Sequence, residues 1–198
     1  QILLLITFVL FENVQITSTR LIILDQLLDY KFFSYFFVVF CMMVLINGTN
    51  FIDGLNTLAL GYYLIVSLVI IKSEILINLN IASSDFFYWV ITLFFLYIFN
   101  LFKKIFIGDG GSYLLGLIYS FLLIFAYTVN QEVSPFFIVL LLWYPCFENL
   151  FSIIRKHNLN KSPINPDAKH FHQLLFFYLK KKYLFKDTLT NSLSANII

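Results

Sequence analysis

Charge is what this chain has least of. Lysine, arginine, aspartate and glutamate make up 12% of its 198 residues, about half of the roughly 25% that a soluble domain carries. Too few charged side chains remain to cover a water-facing surface, so a soluble globular protein is excluded. Cysteine is almost absent. Cys41 and Cys146 lie inside apolar runs without partners at metal-ligand spacing, as buried small residues do. The basic residues are local rather than spread over one face, so the net charge of +2 implies no nucleic-acid partner. No basic region or initiator Met precedes Ile2-Leu3-Leu4-Leu5-Ile6, so no signal peptide is visible. The expectation is one membrane-embedded domain over 1–198, truncated at the N-terminus. The returning apolar character after Thr190 suggests truncation at the C-terminus as well.

What fills the chain instead is apolar sequence: 60% hydrophobic residues and 20% aromatics. This is an integral membrane protein. A bilayer core of about 30 Å needs about 20 helical residues. Leu55–Ile71, Phe86–Phe102, Tyr113–Val129 and Pro135–Ile154 qualify, Phe32–Ile46 makes a fifth span if extended, and Ile2–Phe11 is the tail of a sixth. No run alternates with a period of two, and backbone satisfaction in lipid demands helices. The predicted fold is therefore an all-α, polytopic transmembrane helical bundle.

Counting crossings puts Asp53, Asp109 and Arg155 on one side, because two spans separate each from the next. That side carries Lys103, Lys104, Arg155, Lys156, Lys161 and Lys169, while the opposite loops carry only Lys72 beside Glu74, Asp85 and Glu132. The positive-inside rule makes the basic side cytoplasmic. Trp89 fits an interfacial anchor near the outer end of its span, and Trp143 fits mid-span packing. The 27 residues of Arg20–Ile46 allow one crossing or a short hairpin. Glu12 would face outward in the first case and the cytoplasm in the second.

Three polar segments interrupt the apolar runs. The first is Asn47-Gly48-Thr49-Asn50-Phe51-Ile52-Asp53-Gly54. Asp53 alone could cap the following helix, but Asn47, Asn50, Asp53 and Asn56 recur every three positions. On a helix they would form a curving polar face suited to phosphate and metal. The second is Gly108-Asp109-Gly110-Gly111-Ser112. It reads either as a glycine-rich turn or as a site where exposed amides meet phosphate and Asp109 binds Mg²⁺, with Ser112 opening the next helix. The third runs from Arg155 to His172, shaped by Pro163 and Pro166. There His170 and His172 could hold a diphosphate, or the segment could be an ordinary basic loop. His157 has no partner at useful spacing and reads as solvated. An ionisable residue at membrane depth is costly and is functional by default.

Together these segments resemble the polyprenyl-phosphate N-acetylhexosamine-1-phosphate transferases, the membrane family that includes WecA and MraY. The family's Asn-x-x-Asn-x-x-Asp-Gly motif stands at Asn47–Gly54. Gly-Asp-x-Gly-Ser stands at Gly108–Ser112, and Pro-Asp-x-x-His-x-His at Pro166, Asp167, His170 and His172. Tyr144-Pro145-Cys146-Phe147-Glu148-Asn149-Leu150 with Arg155 also resembles the segment leading into that loop. The pattern is closer to the WecA-like branch. The departures are Glu12-Asn13 where the family has paired acids, Asn56 for a second acid, Gln173 for a further His, and fewer spans.

The resemblance implies transfer of N-acetylhexosamine 1-phosphate from a UDP-N-acetylhexosamine to undecaprenyl phosphate, with release of UMP, at the cytoplasmic face of a bacterial inner membrane. It implies Mg²⁺ on Asp109 and Asn50, and catalytic roles for Asp53 and Asp109. Asp53 would orient or deprotonate the lipid phosphate. Asn47, Asn50, Asn56, Arg155, His170 and His172 would bind substrate, and a homodimer would be unsurprising. Two other readings stay open: a catalytically inactive remnant of the family, and a small transporter using Asp53 and Asp109 as an ion path.

Overall fold

The computed structural model describes residues 1–73, 75–76, 83–130, 132–158, 170–183 and 187–198. The stretch 159–169, with Lys161, Pro163, Pro166, Asp167 and Lys169 of the predicted loop, lies outside the described residues. Ten helices and no strand occur among the described residues: α1 Ile2–Phe11, α2 Ile22–Leu28, α3 Lys31–Ile52, α4 Leu58–Lys72, α5 Ser83–Leu101, α6 Gly108–Val129, α7 Pro135–Leu141, α8 Trp143–Asn158, α9 Phe171–Tyr183 and α10 Asp187–Ile197. The all-α polytopic reading holds. Helices α3, α5 and α6 are long and apolar enough to cross a membrane; α7 and α8 together make a fourth candidate, bent by 77°.

The predicted boundaries shift in ways that matter. The expected span at Phe32–Ile46 continues through Asn47 and Asn50 to Ile52, so those two asparagines ride on α3. Asp53 caps the C-terminus of α3 and not the start of the next helix, whose N-cap is the left-handed Thr57 (φ +73°). The run expected from Leu55 begins its helix at Leu58 and is only 15 residues long. The helix expected to open at Ser112 already opens at Gly108, so Asp109 lies in its first turn.

The expected straight span Pro135–Ile154 is broken at Leu142. Proline 145 lacks an N–H, and its ring displaces the carbonyl four residues earlier. That carbonyl, on Leu141, is satisfied instead by the Tyr62 hydroxyl at 2.6 Å, as a buried acceptor in an apolar medium requires.

Helix α3 is the central element, packed against α6 and α8 through glycines. A Cβ on Gly116 of α6 would lie 2.7 Å from the Ile46 Cα, and one on Gly48 would collide with the Pro145 carbonyl. The Asn149 amide also donates to the Val44 carbonyl at 2.9 Å. Thr49, Tyr63, Ser67, Tyr119 and Trp89 form a buried polar chain across α3–α6. The Trp89 indole donates inward to the Tyr119 hydroxyl at 3.2 Å, so it is not simply an interfacial anchor. Trp143, expected as mid-span packing, stands 49% exposed at the bend.

The ambiguity over Glu12 is resolved. Helix α1 ends at Phe11 and the chain turns at Asn13 (φ +50°), with the Val14 N–H reaching back to the Val9 carbonyl. The following loop is tied to the Val129 end of α6: the Tyr127 hydroxyl donates to the Ser18 carbonyl at 2.7 Å, and the Arg20 guanidinium reaches the Glu132 carbonyl at 3.5 Å. Arg20–Ile46 therefore crosses once, through α3. Glu12 sits at the opposite end of the bundle from Asp109, so the Glu12-Asn13 pair cannot join the Asp109 corner.

Candidate functional site

Helices α4 and α5 run out and back, returning the chain so that the end of α3 meets the start of α6. Helix α5 stops where Lys103 takes φ +59°; its N–H and that of Lys104 bond back to the Asn100 and Phe99 carbonyls, a helix-ending pattern that usually uses glycine. Buried Asn100 then brackets the corner. Its oxygen accepts the Thr57 N–H at 2.6 Å and its amide donates to the Ile105 carbonyl at 2.8 Å. Sequence reasoning missed Asn100; its one signal is a polar amide near the end of an otherwise apolar run.

At this corner the Asn50 amide donates to Asp109 Oδ1 at 3.0 Å and to Ser112 Oγ at 3.1 Å. The Asp109 side chain is exposed, and Ser112 is buried. Burial, reinforced by the negative charge of Asp109, pushes the Asp53 carboxyl up to about 7. Like charges forced together at a site disfavour ionisation of one of them. Gly108 takes φ +63°, a conformation suited to glycine. A Cβ on Gly108 or Gly110 would meet nothing within 4 Å. The first turn of α6 thus presents free amides and the positive helix end to open space, a ready anion site.

A second cluster closes over the same corner. His170 and His172 are buried, with parallel rings 5.7 Å apart, and His170 packs on Phe51 at 5.0 Å. His172 Nε2 would stand 2.5 Å from a Cβ on Gly54, so only glycine leaves it room. Neither His172 ring nitrogen meets a partner among the described residues, and burial holds its pKa down at about 4. The imidazole is neutral at physiological pH. The His170 Nδ1 lies 2.9 Å from Glu148 Oε2. Glu148 was legible only as part of the α8 pattern, although a lone acid in an apolar helix is itself a signal.

The remaining predicted residues are placed less centrally. The Asn47 amide turns back to the Met43 carbonyl of its own helix at 2.8 Å. The Asn56 N–H donates to Asn191 Oδ1 at 3.0 Å. Arg155 is half-buried one heptad past Glu148, with its guanidinium over the Phe151 ring at 5.2 Å. His157 is exposed, as expected for a solvated residue.

Among the described residues no three His, Cys, Asp or Glu side chains cluster as a metal-binding group. The oxygen donors that the corner offers, the Asp109 carboxylate and the Asn50 side-chain carbonyl, are of the kind that suits Mg²⁺ rather than zinc. Mg²⁺ takes one or two carboxylates with phosphate oxygens and waters. The Asp109 charge adds to burial in disfavouring ionisation of Asp53, and a divalent cation would offset it.

The profile of glycosyl transferase family 4 matches residues 1–127. The chain is 29% identical over 157 residues to an undecaprenyl-phosphate alpha-N-acetylglucosaminyl 1-phosphate transferase of Thermotoga maritima, covering 79% of this chain and 48% of that protein. It is 32% identical over 160 residues to a probable undecaprenyl-phosphate N-acetylglucosaminyl 1-phosphate transferase of Bacillus subtilis, covering 78% and 44%. It is 31% identical over 153 residues to a decaprenyl-phosphate N-acetylglucosaminephosphotransferase of Mycolicibacterium smegmatis, covering 66% and 37%. The chain thus spans less than half the length of each of these relatives. No solved structure matches it.

Proposed function

The chain belongs to glycosyl transferase family 4, and on that premise we propose that it transfers N-acetylhexosamine 1-phosphate from a UDP-sugar to a polyprenyl phosphate. The setting is the cytoplasmic face of a bacterial inner membrane, at the first membrane step of a cell-surface glycan pathway. A lipid phosphate oxygen attacks the sugar-bearing phosphorus, the bond to the nucleotide phosphate breaks, and UMP leaves. The observation that carries this reading is the meeting of Asn50, Asp53 and Asp109 at the open, glycine-lined start of α6.

Each part of the corner has a task. The amides of α6 bind the diphosphate, and Asp53 orients the incoming lipid phosphate. His172, whose ring nitrogens meet no partner among the described residues, joins His170 and Arg155 in contacting the sugar diphosphate. Asp109 and Asn50 would hold Mg²⁺, which offsets the diphosphate charge and polarises the phosphorus under attack. An apolar groove of about 340 Å³ suits the prenyl chain. It is lined by Phe37, Phe40 and Val44 of α3, Ile124 of α6, and Ile138 and Leu142 at the bend.

The test is incorporation of radiolabelled UDP-N-acetylglucosamine into a lipid diphosphate, dependent on added polyprenyl phosphate and accompanied by UMP. A second reading is a catalytically silent member that keeps the fold; Glu12, at the opposite end of the bundle, adds no acid to the Asp109 corner. That reading expects no labelled lipid in the same assay.

A further inference from the structure

We infer that Glu148 is a positioning residue, fixing the His170 ring so that the His170–His172 pair closes over Gly54 beside Asp53. The inference rests on the reading above and adds to it a residue outside the three motifs. Glu148 is 1% exposed on an apolar helix. Burying a carboxylate is costly unless good donors offset it. Both of its oxygens serve one short segment: Oε2 meets His170 Nδ1 at 2.9 Å, and Oε1 accepts the Phe171 N–H at 2.8 Å. A carboxylate accepts, so Nδ1 carries the proton and Nε2 is left to face elsewhere.

The first ring then sets the second. His170 is held between Phe51 and His172, the two imidazoles lying within 4° of parallel. His172 has no hydrogen bond of its own among the described residues to fix its orientation. Its placement over Gly54 follows from packing against a ring that Glu148 anchors. Glu148 itself is seated by α8, where Pro145 presses on Gly48 and Asn149 bonds to Val44. A rigid path therefore runs from α3 through α8 back to the end of α3. Carboxylates that orient a metal-ligating histidine typically matter about 10–100-fold, a scale that carries over to a substrate-binding histidine held by the same bond.

The test is Glu148→Gln in the full chain, with histidine-selective ¹⁵N NMR in micelles beside the transfer assay. Glutamine can keep both contacts, but it must donate to Nδ1 and accept from Phe171. The expected result is a folded protein whose His170 switches to the Nε2–H tautomer. The kcat/KM for the UDP-sugar should fall about 10–100-fold, mainly through KM. Glu148→Asp keeps the carboxylate and should retain the Nδ1–H tautomer with a smaller loss; it also replaces the Gln variant should that variant unfold. An unchanged His170 tautomer in a folded Glu148→Gln, or a Glu148→Asp protein whose His170 has lost the Nδ1–H form, overturns the inference. So does unaltered transfer in Glu148→Gln where Asp109→Asn abolishes it. A wild-type chain without transfer defeats the reading above, whereas the tautomer result still decides the role of Glu148.

Discussion

Asn50 and Asp109 meet at 3.0 Å although 59 residues separate them. Helices α4 and α5 lie between them and bring the chain back for this contact. Asn50→Ala removes donors to both Asp109 and Ser112 and should lower transfer by about 10-fold, on the scale of one hydrogen bond to a charged group. Transfer equal to wild type would show that the contact orients nothing.

The central packing of α3 should be intolerant of a single methyl group. Gly116→Ala places a Cβ 2.7 Å from the Ile46 Cα and 2.9 Å from Thr49 Oγ1. Backbone cannot yield as a side chain does, so overpacking should cost about 1–3 kcal/mol, seen as a lower Tm in detergent. Gly61→Ala meets only the Tyr97 ring, at 3.2 Å, and should melt close to wild type. Equal losses in both would mean the α3–α6 contact is not special.

The Asp53 carboxyl, pushed up to about 7 by burial and then by Asp109, ties stability to pH. A carboxyl whose folded pKa exceeds its unfolded value contributes stability that is present below about 4 and is lost as pH rises through about 7. His172, held near 4, acts in the opposite sense: its stability is lost as pH falls from about 6.5 toward 4. The wild-type profile blends the two, and the difference between wild type and Asp53→Asn isolates Asp53. That difference should move against wild type between pH 4 and 7. A flat difference would mean that Asp53 ionises freely.

Sidedness follows from the loop that carries Glu12. In a Cys41→Ser, Cys146→Ser background, cysteine placed at Glu12 or Glu132 should react with an impermeant reagent in intact cells. Cysteine at Lys104 should react only after permeabilisation. External labelling at Lys104 with protection at Glu12 would invert the orientation.

Much of this is legible in the sequence. Apolar runs of membrane length and an absence of charge dictate a helical bundle, and polar clusters at run ends stand out because lipid penalises them. Asp109 and Asp53 stand out in the sequence that way. The helix ends do not, because α3 stays helical through Asn47 and Asn50, whose side chains find partners on α3 and α6. The 77° break was missed although Pro145 was visible, since the cost of a proline depends on what rescues the carbonyl behind it; here that is Tyr62, from a distant helix. Asn100 was missed, and the role of Glu148 was not legible, because their partners, Thr57 and His170, are distant in sequence.

The most direct test is transfer by Asp109→Asn measured beside wild type in the same membranes. The substitution keeps the shape of the side chain in an exposed first turn of α6, so the fold should survive. It removes the charge that a diphosphate and its cation would meet. Incorporation of labelled N-acetylglucosamine phosphate into lipid should fall at least about 10²-fold, the scale of losing one key electrostatic stabiliser. Raised Mg²⁺ should restore it only in part, while Asp53→Asn should show no Mg²⁺ rescue. Near wild-type transfer by a folded Asp109→Asn would contradict the assignment of the Asn50–Asp109 corner as the reacting site.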